Sequence, residues 1–438
     1  MTRRHVRPVR AATAAGLFAT LLAAACPAVA DQPGRPAPGP DDATMTVLEA
    51  RDAGAIALDV RGAGADHVRF AIRNTTDRRL NVVVPPGLVA SATAGQGFQS
   101  MGLGLPSNQP GSFGQFRDAR ADTAGFRSLA PDADHSAPAG LVVPAGQTVR
   151  FDVPSVCLNF GKPTPTPGDQ FTVVDVADYT TDPRVQKALR SLSTLGTSQQ
   201  VAQAAMWNVA NRMSFDDLAT QGVAKFNSME LALAERFVAA LDASGDARLV
   251  DPAYLDEARI LVKLEGRGRR ATDAARLASE LQGERLLGLS ARVVGDETTT
   301  AMAPALLVQV TLDDSDTAKV AVRYNPGHGP VRSLGNLNLS LDGPTADLDG
   351  PALAAALDRA IARTFVAVKP VSRNGEGTTF RIENRLPFTL AQMVVNAGTA
   401  RSVAPVTLSA LGVGPFRAGR TTLPAAKGTV ERVVLNGL

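Results

Sequence analysis

Ser155-Val156-Cys157-Leu158-Asn159-Phe160 opens the stretch on which the fold turns, and Gln203-Ala204-Ala205-Met206-Trp207 closes it. Upstream, apolar residues recur two apart; downstream, they recur three and four apart. That change of period separates a strand-rich first third from a helical middle. The stretch also holds Cys157, one of only two cysteines in 438 residues.

The upstream runs are Ala55-Ile56-Ala57-Leu58-Asp59-Val60, Val68-Arg69-Phe70-Ala71-Ile72, Leu80 to Val84 and Val149-Arg150-Phe151-Asp152-Val153. Each is bounded by Gly, Pro, Asn or Asp, which predicts an antiparallel β-sandwich over 44–181. Residues 102–139 are rich in Gly, Ser, Pro and Asp and lack periodicity, so a long surface loop is expected there.

Downstream, Asp182-Pro183 supplies an N-cap and a first-turn proline. Helices are predicted over 183–194, 199–212, 229–242, 252–265 and 273–282, joined by short connections into a central helical bundle over 182–283. From 284 to 438 strands resume, at 305–312, 317–324 and 336–341, with one helix from Pro351 to Arg363. The fold class expected is therefore multidomain α+β, with an N-terminal antiparallel β-sandwich, a helical middle and a C-terminal α+β region with sandwich-like strands.

The first ten residues carry four arginines and no acid, an Ala/Leu-rich segment follows, and Ala28-Val29-Ala30 has the small residues of a cleavage site. Residues 1–30 read as a secretory signal peptide, and 31–43, rich in Pro and Gly, as a flexible linker. Export places the mature chain in the periplasm, at the cell surface or outside the cell. Cleavage would remove Cys26 and four of the 45 basic residues but none of the 42 acidic ones, leaving a charge of about −1. The basic isoelectric point is thus the leader's, and no nucleic-acid partner is expected. No later run is long and apolar enough for a transmembrane segment in the mature chain. Cys157, left alone, can form no intrachain disulfide.

Phe70-Ala71-Ile72-Arg73-Asn74 with Leu80 and Phe380-Arg381-Ile382-Glu383-Asn384 with Leu390 share one spacing at an offset of 310. Both predict a strand with inward Phe and Ile, an Asn at the turn, and a second apolar strand. The pattern resembles the immunoglobulin-like sandwiches of exported bacterial proteins.

His67, His135 and His328 are scattered, and no zinc, triad, phosphate-loop or dinucleotide signature is present. No cofactor or metal is expected. Asp242-Ala243-Ser244-Gly245-Asp246 reads as a helix end rather than a calcium loop, and Asp349 as a cap for the helix at Pro351. Cys157 with Gln203-x-Ala205-x-Trp207 resembles the thioester domains of bacterial surface adhesins. That resemblance implies an internal bond between the Cys157 sulfur and the Gln203 carbonyl, shielded by Trp207 and Phe160. Taken together, the residues point to an exported non-enzymatic structural or interaction protein engaging a protein or surface polymer. The alternatives are covalent attachment through the thioester and a hydrolase with unlinked carboxylates.

Overall fold

In the computed structural model, residues 43–438 are described apart from 93–96, 105–139, 221, 223–224, 246–248, 252–259, 296–303, 314–316, 328, 342–347 and 376. The leader, all of the linker but its last residue, and nearly all of the 102–139 loop lie outside the described residues.

The first region runs β1 (Ala43–Thr46), α1 (Val47–Asp52), β2 (Ile56–Gly62), β3 (His67–Asn74), β4 (Leu80–Val83), β5 (Leu88–Ala92), β6 (Met101–Leu103), β7 (Leu141–Val143), β8 (Thr148–Cys157) and β9 (Phe171–Asp175). One sheet has the order β2-β3-β8-β6-β5-β9, and a smaller one β1-β4-β7. Alternation is strict in β3: Val68, Phe70, Ile72 and Asn74 are buried while Arg69 and Arg73 face water. Phe70 pairs across the ladder with Phe151 and stacks on it at 5.5 Å. Burying such a side chain contributes about 2–3 kcal/mol. The 149–153 run and the cysteine segment form a single strand through Pro154. Up to Pro154 the strand is bonded to β3, and from Ser155 to Cys157 it is bonded to β6.

Five helices follow: α2 (Val176–Tyr179), α3 (Pro183–Leu195), α4 (Gln199–Asn211), α5 (Phe215–Thr220) and α6 (Ser228–Ala243). Asp182 caps α3 through Arg184 N, and Gly196 ends it in the left-handed conformation. Asn227 caps α6 in a box with Glu230.

These helices do not form the expected central bundle, and among the described residues strand outweighs helix, 44% against 27%. A bundle helix keeps one wet face. In α4, however, Val201, Ala202, Gln203, Ala204, Ala205, Met206 and Trp207 are buried in unbroken succession. The helix is enclosed by β8, α3 and α6. Nearby, α3 closes on β6: a Cβ at Gly102 would lie 2.7 Å from Leu189, and Ser193 donates to Leu103 O. Where a helix over 252–265 is expected, Ile260–Gly266 is strand β10, and 252–259 lie outside the described residues. Its Ile260-Leu261-Val262 run lies between β12 (Leu289–Val293) and β13 (Ala305–Leu312), parallel to both. A central strand buried on both faces has the same continuous apolar run as a buried helix, so periodicity alone does not separate them.

Between β10 and β12 come α7 (Ala271–Leu281) and the short β11 (Arg285–Leu286), a β-α-β crossover. With β14 (Thr317–Asn325) and β15 (Arg332–Ser340) they complete a six-stranded sheet, order β11-β12-β10-β13-β14-β15. Helix α8 (Gly350–Phe365), capped by Asp349 as anticipated, packs on α7 and this sheet.

The last region holds β16 (Val366–Asn374), β17 (Gly377–Asn384), β18 (Leu390–Thr399), β19 (Ser402–Val413), β20 (Ala418–Leu423) and β21 (Lys427–Leu435). They form two sheets, β16-β17-β20 and β19-β18-β21. The sheets close on each other tightly: a Cβ at Gly428 in β21 would lie 3.4 Å from Phe380 of β17. The 310-residue offset holds in atomic detail. Asn74 and Asn384 are both buried at the ends of their strands. Asn74 Nδ2 donates to Arg78 O and Val143 O, and Asn384 Nδ2 to Phe388 O, Val413 O and Gly414 O.

Candidate functional site

Past Pro154 the β8 strand has lost β3 as a neighbour, so one edge of Ser155–Cys157 carries backbone groups without a ladder. Helix α4 covers that edge with side-chain amides. Gln203 Oε1 accepts from Cys157 N at 2.8 Å, and Gln203 Nε2 donates to Cys157 O at 3.0 Å. Gln199, one turn earlier, donates to Ser155 O. Asn211, at the end of the helix, donates to Leu158 O at 3.0 Å and accepts from Phe160 N at 2.9 Å. One helix thus serves as a substitute strand, with the carboxamide of Gln203 occupying the place of a peptide group.

The thiol faces elsewhere. Cys157 Sγ lies 3.4 Å from Ala65 O, in the loop between β2 and β3, and the side chain is buried. Burial first, and the nearby Asp66 carboxylate second, push the thiol up to about 12. A thiol so placed is almost wholly protonated at neutral pH, the reverse of an activated nucleophile. Burial is the largest single influence on Asp66 and raises it, but the hydrogen bond to His67 Nδ1 at 3.0 Å, the charge of that ring and a backbone hydrogen bond together outweigh burial and hold the carboxyl below the usual carboxylate range.

The structure brings together all four residues singled out from the sequence. Trp207 is one turn after Gln203, buried, with its ring edge-on to Phe160 at 5.0 Å and to Phe226 at 5.9 Å. Phe160 follows directly on the clamped segment. Gln199 and Asn211 were not anticipated. The available signal was an uncharged helix, Gln199 to Asn211, with carboxamides recurring along one side of it.

Asp242 is paired with Arg184 at 2.8 Å on the last turn of α6. Residues 246–248 of the candidate calcium loop lie outside the described residues, as do His135 and His328. Among the described residues no three His, Cys, Asp or Glu side chains gather as metal ligands, and no helix is long and apolar enough to cross a membrane. No protein-family model matches the chain, and no curated protein matches it.

Proposed function

We propose that this chain is an exported, non-enzymatic structural or interaction protein of the cell envelope or extracellular space, engaging a protein or surface polymer. The observation that carries this reading is the use made of Gln203. Both ends of its carboxamide are committed to the Cys157 backbone, and the thiol beside it is buried and protonated. The chain's most reactive-looking pair is therefore a fastener between α4 and β8. N-terminal sequencing of protein recovered from outside the cytoplasm tests the export half: a chain beginning at Asp31 is expected, and one that keeps residues 1–30 overturns it.

Covalent attachment through a thioester is a second reading, favoured by one fact: the Gln203 carboxamide lies against Cys157 itself. The sulfur would leave Ala65 O and attack the Gln203 carbonyl carbon, the C–N bond would break, and ammonia would depart with the thiol proton. Intact mass separates the two readings. The full mass of the mature chain, with a thiol that reacts with iodoacetamide only after unfolding, is expected. A mass short by one ammonia, with methylamine uptake at Gln203, would establish the thioester instead.

A further inference from the structure

A strand at the end of a sheet offers backbone donors and acceptors to any other chain, and folded proteins guard such edges with charge, proline, shortness or cover. Most sheet ends here are guarded. In the first region β2 and β9, at opposite ends of one sheet, are joined by a bridge between Arg61 and Gln170, and β1 and β7 of the smaller sheet are four and three residues long. In the last region β16 carries Lys369, Pro370 and Arg373, β20 carries Arg420, β19 carries Pro405, and β21 carries Lys427, Glu431 and Arg432. In the six-stranded sheet β11 is two residues long.

At the other end of that sheet β15 is different. Past Arg332 its residues, Ser333-Leu334-Gly335-Asn336-Leu337-Asn338-Leu339-Ser340, include no charge and no proline. Its ladder runs to β14 alone, and among the described residues nothing bonds to its other edge. A bulge at Leu334, where the register shifts between Val322 and Arg323, leaves Gly335 to Ser340 regular.

The two faces of β15 are unlike. Gly335, Leu337 and Leu339 lie opposite the buried Val322, Val320 and Ala318, on the face where α8 packs: a Cβ at Gly335 would stand 3.8 Å from Phe365. Asn336, Asn338 and Ser340 are on the opposite face and exposed. Leu339 is 3% exposed, yet Leu337, on the same covered face, is only half-buried. A strand that continues this sheet must alternate in the same phase, apolar on the α8 side and polar on the other. The sequence of β15 does so itself.

We propose that β15 pairs with β15 of a second copy of this chain, antiparallel about a two-fold axis at Leu337, which joins the two six-stranded sheets into one. An axis normal to the sheet keeps each face on its own side, so leucines meet apolar positions and amides meet amides. Leu337 then lies against its own copy, Gly335 is opposite Leu339, and Asn336 is opposite Asn338 twice. No like charges face each other in this register, and the half-buried leucine gains cover. At about 3.3 Å per residue, five paired residues span only about 17 Å. Such a contact falls short of the roughly 1,200–2,000 Å² that a stable complex buries, so the dimer is weak, with a Kd on the order of 10 μM.

Sedimentation equilibrium of the mature chain, from about 1 to about 300 μM, tests this. Monomer is expected at the low end and mostly dimer at the high end. Asn336→Lys with Asn338→Lys places like charges opposite each other twice, on a face that is exposed in the monomer. That variant should bind itself about tenfold more weakly or worse. Asn336→Lys with Asn338→Glu places opposite charges at the same positions and should restore self-association, most strongly at low salt. Circular dichroism checks that each variant is folded. A wild-type chain that stays monomeric over the whole range overturns the proposal, as does a dimer that survives the two lysines. Loss of self-association in both folded double variants overturns the register about Leu337.

Discussion

Asn74 and Asn384 do the same task at opposite ends of the chain, but the structure around them is fastened by different chemistry. Each ends a strand, turns its amide inward and collects carbonyls from the following turn and from a strand of the facing sheet. In the first case the partner carbonyl, Val143, is 69 residues away; in the second, Val413 is 29 away. The additional chain in the first region, including β5 and β6, leaves in place the two contacts the clamps share, one to the following turn and one to the facing sheet. A buried side chain with several partners is satisfied only where all of them converge, so it tolerates insertions between them.

Beyond this shared clamp the regions diverge. In the first region, the far end of β8 from Asn74 is fastened by neutral carboxamides from Gln199, Gln203 and Asn211. Toward the second end the fasteners are carboxylates. Asp358 of α8 accepts from Leu287 N at 2.5 Å, and Glu230 ties α6 to Arg417 at the end of the β19–β20 turn. Amides hold equally well at any ordinary pH, whereas buried carboxylates make stability depend on it.

The sharpest way to break the comparison is to remove both asparagines in turn. Asn384→Ala removes the amide donor to three carbonyls, of which Gly414 O keeps Arg417 N, and should cost about 4 kcal/mol; Asn74→Ala removes the donor to two, of which Arg78 O keeps the Thr76 hydroxyl, and should cost about 3 kcal/mol. Chemical denaturation of each single variant measures the difference. A reversed order, or a loss below about 1 kcal/mol at either site, would mean that the two turns are alike in sequence but not in role.

Asp358 supplies the next largest effect. Burial is the main cause that raises its carboxyl to about 6 from an ordinary 3.8, against the bond from Leu287 N and the pull of Arg432 and Arg359. Between those two pH values the unfolded chain releases a proton that the folded protein keeps. Stability contributed by the protonated form is therefore complete below about pH 4, lost as pH rises toward 6, and absent above it. At about 1.4 kcal/mol per pH unit the loss approaches 3 kcal/mol. Asp358→Asn retains an acceptor for Leu287 N without the charge, and should stabilise the protein by up to that amount at pH 8 while changing little at pH 4. A pH-independent difference would remove Asp358 as the source.

Smallest is the neutral fastener. Gln203→Leu fills similar space but leaves the Cys157 N–H and carbonyl unanswered, and should cost about 2 kcal/mol. That cost should be flat between pH 5 and 8, unlike the Asp358 effect. A pH slope would show that charge, not the carboxamide, fastens β8 to α4.

Much of the local structure was legible in the chain. Alternation in Val68-Arg69-Phe70-Ala71-Ile72 placed β3 and its buried face, Asp182-Pro183 and Asp349 marked helix starts, and β13, β14 and α8 lie where the pattern puts them. The repeated Phe-x-Ile-x-Asn identified two equivalent strand ends 310 residues apart. Period and capping chemistry act within one or two turns of chain, so a linear reading captures them. What the chain left open was what each apolar face packs upon. The Ala-rich run of α4 is compatible with a bundle or with burial against a strand edge, and Ile260-Leu261-Val262 with helix or central strand. Only tertiary structure settled these, because the deciding partners come from distant segments: the edge of β8 beyond Pro154, where β3 no longer pairs with it, and β12 and β13 on either side of β10. The bare edge of β15 has the same origin. Its alternation is local, but whether Arg332–Ser340 lies inside the sheet or ends it depends on how the other strands pair, and no pattern within the strand records that.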